Sequence, residues 1–352
     1  MADATTTEVT PEQQTDLMWE YLKGFHAVHL IRTGVELGLF ARIAEAGEAG
    51  IDAAGLAARL GLHPPYVAVW CNTAYAWRLV DGDDGPPATF RLAPHVGSIL
   101  VDRRHARHLA PYFIGATGFY ARDLDRYPDF FRTGAVHTFQ EHGREFSDGI
   151  AATTAGFHPV IARRMLPAIP GLEAKLAQGA KVLDMGCGAA GLMMRIAQTH
   201  PAVTCLGIDV DAYGIELARQ RIAEAGLEGR VDVELSDGGE IAHRDEFDVV
   251  TMFEVLHEIP PAMRPRVLAN CHRALKPGAP LFILDETYPQ TLAGLRERAH
   301  ALAVQTAYNE LIWGNVVPTA GEQDALLRGA GFVRIDRAQI ATYFTAITAW
   351  KG

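Results

Sequence analysis

Residues 181–191, KVLDMGCGAAG, constrain the fold of this chain more than any other stretch. An apolar run, Lys181 to Met185, ends in glycines and gives way at once to LMMRIAQTH, a helical segment. A strand that stops at a glycine turn and is followed directly by a helix opens a strand–helix–strand unit. Downstream the pattern repeats, with TCLGIDV, VDVELSD, FDVVTMF and APLFILDE separated by helical stretches. This alternation predicts an α/β fold with a parallel sheet covered on both faces. The tail, RIDRAQIATYFTAITAWK, reads as two strands with almost no room between them, which predicts an antiparallel pair at the end of the sheet.

The first half has a different grain. Residues 1–14 are polar and read as a disordered tail. From Asp16 to Ile43, Leu17, Tyr21, Phe25, Val28, Ile31 and Val35 recur at helical spacing, so one long amphipathic helix needing a partner surface is expected. Two shorter helices, AAGLAARL and PPYVAVWCNTAYAWRL, precede the turn cluster DGDDGPP and the segment TFRLAPHVGSIL, whose start pairs as a strand. Helix, helix, turn and hairpin is the order of a winged helix. Residues 101–178 read as mostly helical, with Tyr112, Phe113, Phe119, Tyr120, Tyr127, Phe130, Phe131, Phe139 and Phe146 either packing a helical layer or lining a lid. The expected organisation is a tail (1–14), a winged-helix-like domain (15–100), a helical linker and cap (101–178) and the sheet domain (179–352).

Composition excludes several function classes. The 352 residues are 49% hydrophobic and 21% charged, as in globular proteins, and the formal charge of −10 argues against a nucleic-acid-binding surface. The helix that would read DNA in a winged helix, PPYVAVWCNTAYAW, has no Lys or Arg for phosphates. Cys71, Cys187, Cys205 and Cys271 are scattered, and of His95, His105, His108, His137, His142 and His158 only His105 and His108 are close, so neither disulfides nor a metal site is expected. Met193 and Met194 read as core. No secretory leader or membrane-length apolar run is apparent, and a cytoplasmic protein is expected.

The strand ends carry the chemistry. Gly186 and Gly188 let the backbone turn tightly and approach a ligand. Asp184 sits before that turn, where a carboxylate meets the cationic end of a ligand. Asp209, 21 residues after Gly188, is placed to accept two ribose hydroxyls, and Asp237, followed by Gly238, to meet a purine amino group. Gly186, Gly188 and Gly191 also satisfy the G-x-G-x-x-G of nicotinamide enzymes. Two features favour a cationic adenosyl ligand: Asp184 would repel a pyrophosphate, and acids recur at three successive strand ends. Phe253 and Glu254, ending the fourth strand, complete the expected contacts, although for Glu254 a solvated strand-end acid is the favoured reading over a ligand contact.

With these residues in view, 179–352 resembles the class I S-adenosylmethionine-dependent methyltransferase domain. KVLDMGCGAAG resembles its first motif and GIDVD its second, while FDVVTMFEVLHEIP and HRALKPGAPLFILDE resemble its fourth and fifth strands. Ala190 departs from the glycine many members have. The whole chain resembles the small-molecule O-methyltransferases of plant and bacterial secondary metabolism, and also related winged-helix methyltransferases of actinobacteria, some without a histidine base. The resemblance implies S-adenosylmethionine as cofactor and S-adenosylhomocysteine as product. It further implies a small hydroxylated acceptor and a homodimer through the N-terminal helices. His257, in H-E-I rather than the family's H-D-W, corresponds to its general base, and reads equally as a bystander. Asp285 stands where a Glu orients that base, and Glu286 beside it is able to exchange roles with it. The family's second acid has no counterpart placed by sequence. Tyr308, Asn309, Trp313 and Asn315 are candidate pocket walls. An N- or C-methyltransferase, or a non-catalytic cofactor-binding regulator, are the other readings.

Overall fold

The computed structural model describes residues 9–352, and the chain divides into two compact units between Ala121 and Arg122. Of the tail expected at 1–14, residues 1–8 lie outside the described residues. Residues 11–14 are a correction: they are already helical, because Pro11 takes the first position and Thr10 forms a capping box with Gln13.

In the first unit the helix Pro11–Glu36 is followed by Leu39–Ala46, Ala53–Leu60 and Pro64–Ala76. Three short strands, β1 (Ile51–Asp52), β2 (Val80–Asp83) and β3 (Thr89–Leu92), form an antiparallel sheet in the order β1-β3-β2. Phe40 meets Trp70 edge to face, with 5.1 Å between centroids, in a core that also holds Ile43, Leu56, Val80 and Phe90. Gly34 lies where a Cβ would strike both aromatic rings, so the long helix docks through its last turns alone. Its first half stays exposed, with Trp19, Tyr21, Leu22 and Phe25 each more than half accessible.

The second unit holds a seven-stranded sheet: β4 (Lys181–Met185), β5 (Thr204–Asp209), β6 (Val231–Leu235), β7 (Val249–Phe253), β8 (Pro280–Asp285), β9 (Phe332–Ile340) and β10 (Phe344–Lys351). Their order is β6-β5-β4-β7-β8-β10-β9, parallel through β8, with β10 antiparallel to both β8 and β9. All five β7 residues and all six β8 residues are buried, as strands covered on both faces must be. Two apolar clusters form the layers, one around Val182, Ile196 and Ile215 and the other around Leu183, Leu268 and Ile347. Alternate residues of β4 thus supply opposite faces. No described helix is long and apolar enough to cross a membrane.

Candidate active site

Strand order reverses at β4, which has β5 on one side and β7 on the other. At such a reversal the loops beyond the carboxyl ends diverge and leave a crevice, where ligands bind in open α/β sheets. Gly186 leaves β4 at φ +74°, and a Cβ there would run into the methyls of Val255, just past β7. Only glycine allows the two strand ends to approach this closely.

The three strand-end acids differ in environment. Asp184 is buried and accepts a 2.5 Å hydrogen bond from Thr251 Oγ1. Burial, reinforced by the charge of Asp209, pushes its pKa up to about 7 despite that bond. Asp209 holds the glycine loop: Oδ2 accepts from the Gly188 N–H at 2.7 Å and Oδ1 from the Asp211 N–H at 2.8 Å. Asp237 is exposed and accepts from the Gly239 N–H at 2.8 Å. Gly238 beside it is buried, its carbonyl accepting from Asn270 at 2.8 Å. Ala190 sits at φ +59°, a left-handed conformation that costs a side chain about 1 kcal/mol.

Phe253 is buried at the end of β7, with Phe157 and His158 at centroid distances of 6.0 Å and 5.9 Å. The same His158 ring lies over Gly191, where a Cβ would touch it, and burial drives its pKa down to about 4. His158 is thus a neutral ring over the start of the loop helix. Sequence reasoning grouped it with scattered histidines, and only its tertiary position separates it from them.

A second cluster follows β7 and β8. His257 is 2% exposed; its Nδ1 lies 2.5 Å from Asp285 Oδ1, and its backbone N–H donates to Asp285 Oδ2 at 3.3 Å. Glu286 stands further off, with Oε2 3.5 Å from Nδ1 and Oε1 accepting from Thr306 at 2.7 Å. Between the two acids open as partners, Asp285 makes the direct bond and Glu286 lies behind it. On the other side of the ring, Nε2 is 3.3 Å from Glu310 Oε2, which also accepts from Asn315 at 2.9 Å. Glu310 is thus a further acid beside His257, one that the sequence did not mark, since nothing local singles it out. Arg264 donates to the carbonyls of His257, Ile259 and Val316, and so ties the histidine loop to the segment after Glu310.

Burial alone would drive the His257 pKa down. The charges of Asp285 and Glu286, with hydrogen bonds to Asp285 and Glu310, hold it well above the ordinary imidazole value. Burial raises Glu286 to about 8, with Asp285 and Glu310 adding to the rise. Glu254, at φ +57°, keeps Oε1 buried without a hydrogen-bond partner among the described residues, and burial raises its pKa well above the carboxylate range. It is therefore no solvated acid. The structure brings His257, Asp285, Glu286 and Glu310 together, with Asp184, Gly186, Gly188 and Asp209 at the neighbouring strand ends. Of the proposed walls, Asn315 and Trp313 are buried and Tyr308 is exposed.

A family described as "Methyltransferase domain" matches residues 182–278. The 3-hydroxy-5-methyl-1-naphthoate 3-O-methyltransferase of Streptomyces sahachiroi is 24% identical over 347 residues, covering 93% of this chain and 92% of that protein. The ubiquinone biosynthesis O-methyltransferase of Thiobacillus denitrificans is 37% identical over 105 residues; this match takes in 30% of the present chain and 43% of that relative. Among solved structures, human N-acetylserotonin methyltransferase in complex with SAM superposes over 100% of both chains with a TM-score of 0.78 at 18% identity.

Proposed function

We propose that this chain, an S-adenosylmethionine-dependent methyltransferase of class I fold, methylates an oxygen of a small hydroxylated aromatic acceptor, with His257 as general base. The observation that carries this reading is the His257 Nδ1–Asp285 Oδ1 bond at the carboxyl edge of the sheet, 2.5 Å long and buried.

The crevice suits the cofactor. Asp184 forms no ion pair among the described residues, and a cationic amino group is the partner that offsets its burial, whereas a pyrophosphate would add to the cost. Asp184, Gly186, Gly188, Asp209, Asp237, Gly238, Phe253 and Glu254 are the residues we assign to hold it. When bound, S-adenosylmethionine supplies a methyl group on a cationic sulfur that departs without acid assistance. The work left to the chain is alignment and proton removal.

Asp285 anchors Nδ1 and fixes the ring. Nε2 makes the longer contact, 3.3 Å to Glu310, and so is the nitrogen free to turn to an acceptor hydroxyl. A base needs Nε2 unprotonated, with the ring proton kept on Nδ1 toward Asp285. General-base assistance of this kind is worth about a hundred- to ten-thousandfold. Within the second unit, the helical residues 122–178 serve as the cap over the acceptor, in keeping with Phe146 and Trp313 packed edge to face at 4.9 Å. The exposed apolar half of the Pro11–Glu36 helix is the surface we assign to a homodimer. The four buried free cysteines suit a reducing cytosol.

The test is methyl transfer to a panel of hydroxylated aromatic acids and their amino analogues, read by mass spectrometry. O-methylated products are expected. Products methylated only on nitrogen or carbon, or cofactor binding with no methylated product, would overturn the reading.

A further inference from the structure

Outside the catalytic cluster lies a second buried polar group, built by the helical segment before the sheet. Asp123 and His142 have side chains only 5% and 7% exposed, and His142 Nε2 lies 2.8 Å from Asp123 Oδ2. The other ring nitrogen, Nδ1, is 2.9 Å from the Thr138 carbonyl. Both nitrogens thus face acceptors, and only an imidazolium donates to both. Asp123 Oδ2 also accepts from the indole N–H of Trp313 at 2.7 Å, although the two residues are 190 apart in sequence. Phe146 stacks on His142 at 4.1 Å and meets Trp313 edge to face, which seals the group from water.

The same segment grips residues 308–313 twice more. The Tyr127 hydroxyl donates to the Tyr308 carbonyl, and the His137 N–H donates to the Ile312 carbonyl at 2.7 Å. Glu310 lies between these three holds, and Glu310 faces His257 Nε2.

We infer that Asp123, Tyr127 and His142 are positioning residues that act through Trp313 and Tyr308 to hold Glu310 against the catalytic histidine. The inference rests on the reading of His257 as base. It makes the pre-sheet segment more than a cover: it sets the proton affinity of a base more than a hundred residues away in sequence. Deprotonation of His142 would loosen the hold, because Asp123 then loses the cation opposite its carboxylate. The other groups facing this pair are Arg126, 3.8 Å from Asp123 Oδ1, His137, with its ring 4.2 Å from that of His142, and Glu141, 3.8 Å from His137. One stray positive charge therefore remains near Asp123 when His142 is neutral, so the hold weakens rather than vanishes.

The experiment compares Tyr127→Phe, Trp313→Phe and Asp123→Asn with the parent and with His257→Ala, by pH–rate profile, adenosylhomocysteine affinity and melting temperature. Tyr127→Phe keeps the ring and is the variant least able to disturb folding. The expected result is a kcat about five- to tenfold lower, the factor one lost hydrogen bond carries. The acidic limb of the profile should move to lower pH as Glu310 withdraws from Nε2, with cofactor affinity unchanged. Asp123→Glu should restore part of the rate lost in Asp123→Asn. If folded Tyr127→Phe and Trp313→Phe keep the parent profile while His257→Ala is inactive, the positioning role is wrong and the base stands. If His257→Ala keeps its turnover, both fall together.

Discussion

His257 Nδ1 and Asp285 Oδ1, 28 residues apart in sequence, meet at 2.5 Å because β7 and β8 are adjacent and parallel. Parallel neighbours end at the same edge, so residues just beyond β7 face the last residue of β8. The His257–Asp285 pair is thus a product of strand order.

Asp285→Asn tests that pair. The imidazolium loses its nearest negative charge, so the His257 pKa falls and the acidic limb of the kcat/KM profile shifts to lower pH. Turnover also drops, since Asn is able to stabilise the wrong ring tautomer, by roughly ten- to a thousandfold. An unchanged profile would show that Asp285 does not set the base.

Asp184 carries a pH dependence with a definite sign. Its folded pKa, about 7, lies above the ordinary carboxylate value of 3.8. The folded state without cofactor is therefore most stable below the unfolded value and loses stability as pH rises towards 7, where the buried carboxyl must ionise. Asp184→Asn should melt higher than the parent at pH 8, while binding adenosylmethionine more weakly. Parent affinity for the cofactor should rise between pH 6 and pH 8 and that of the variant should stay flat, as followed by calorimetry.

Gly186→Ala forces a Cβ into Val255 and a side chain into φ +74°. Overpacking and left-handed strain together cost about 2–4 kcal/mol. Adenosylhomocysteine affinity should fall at least tenfold, while Ala190→Gly, at φ +59°, should leave binding intact and raise the melting temperature slightly.

Much of this was legible beforehand, for identifiable reasons. The strands β4, β5, β7 and β8 show as short apolar runs between helical stretches, because they are largely buried on both faces. The turn at Gly186 after Asp184 was legible because the strand, turn and helix are contiguous in sequence. Glu310 and Thr306 were not: Glu310 meets His257, and Thr306 meets Glu286, only through tertiary packing. The same holds for His158, whose neighbours Gly191 and Phe253 lie on two other elements. The spacing predicts one helix over Asp16–Ile43, whereas the structure starts it at Pro11, capped by Thr10, and ends it at Glu36, with Gly38 at φ +73° before the helix Leu39–Ala46.

The exposed face of the Pro11–Glu36 helix makes a prediction about assembly. Tyr21 and Phe25, 63% and 60% accessible, lie one helical turn apart on it. The double variant Tyr21→Glu, Phe25→Glu should run as a monomer in analytical ultracentrifugation where the parent runs as a dimer. Equal sedimentation of the two would remove this face from the interface.

His257→Ala addresses the account at its centre. Single-turnover methyl transfer, measured with adenosylmethionine bound, should slow by about a hundred- to ten-thousandfold, with adenosylhomocysteine affinity within twofold of the parent. A variant that still methylates within threefold of the parental rate would show that the acceptor loses its proton without this histidine.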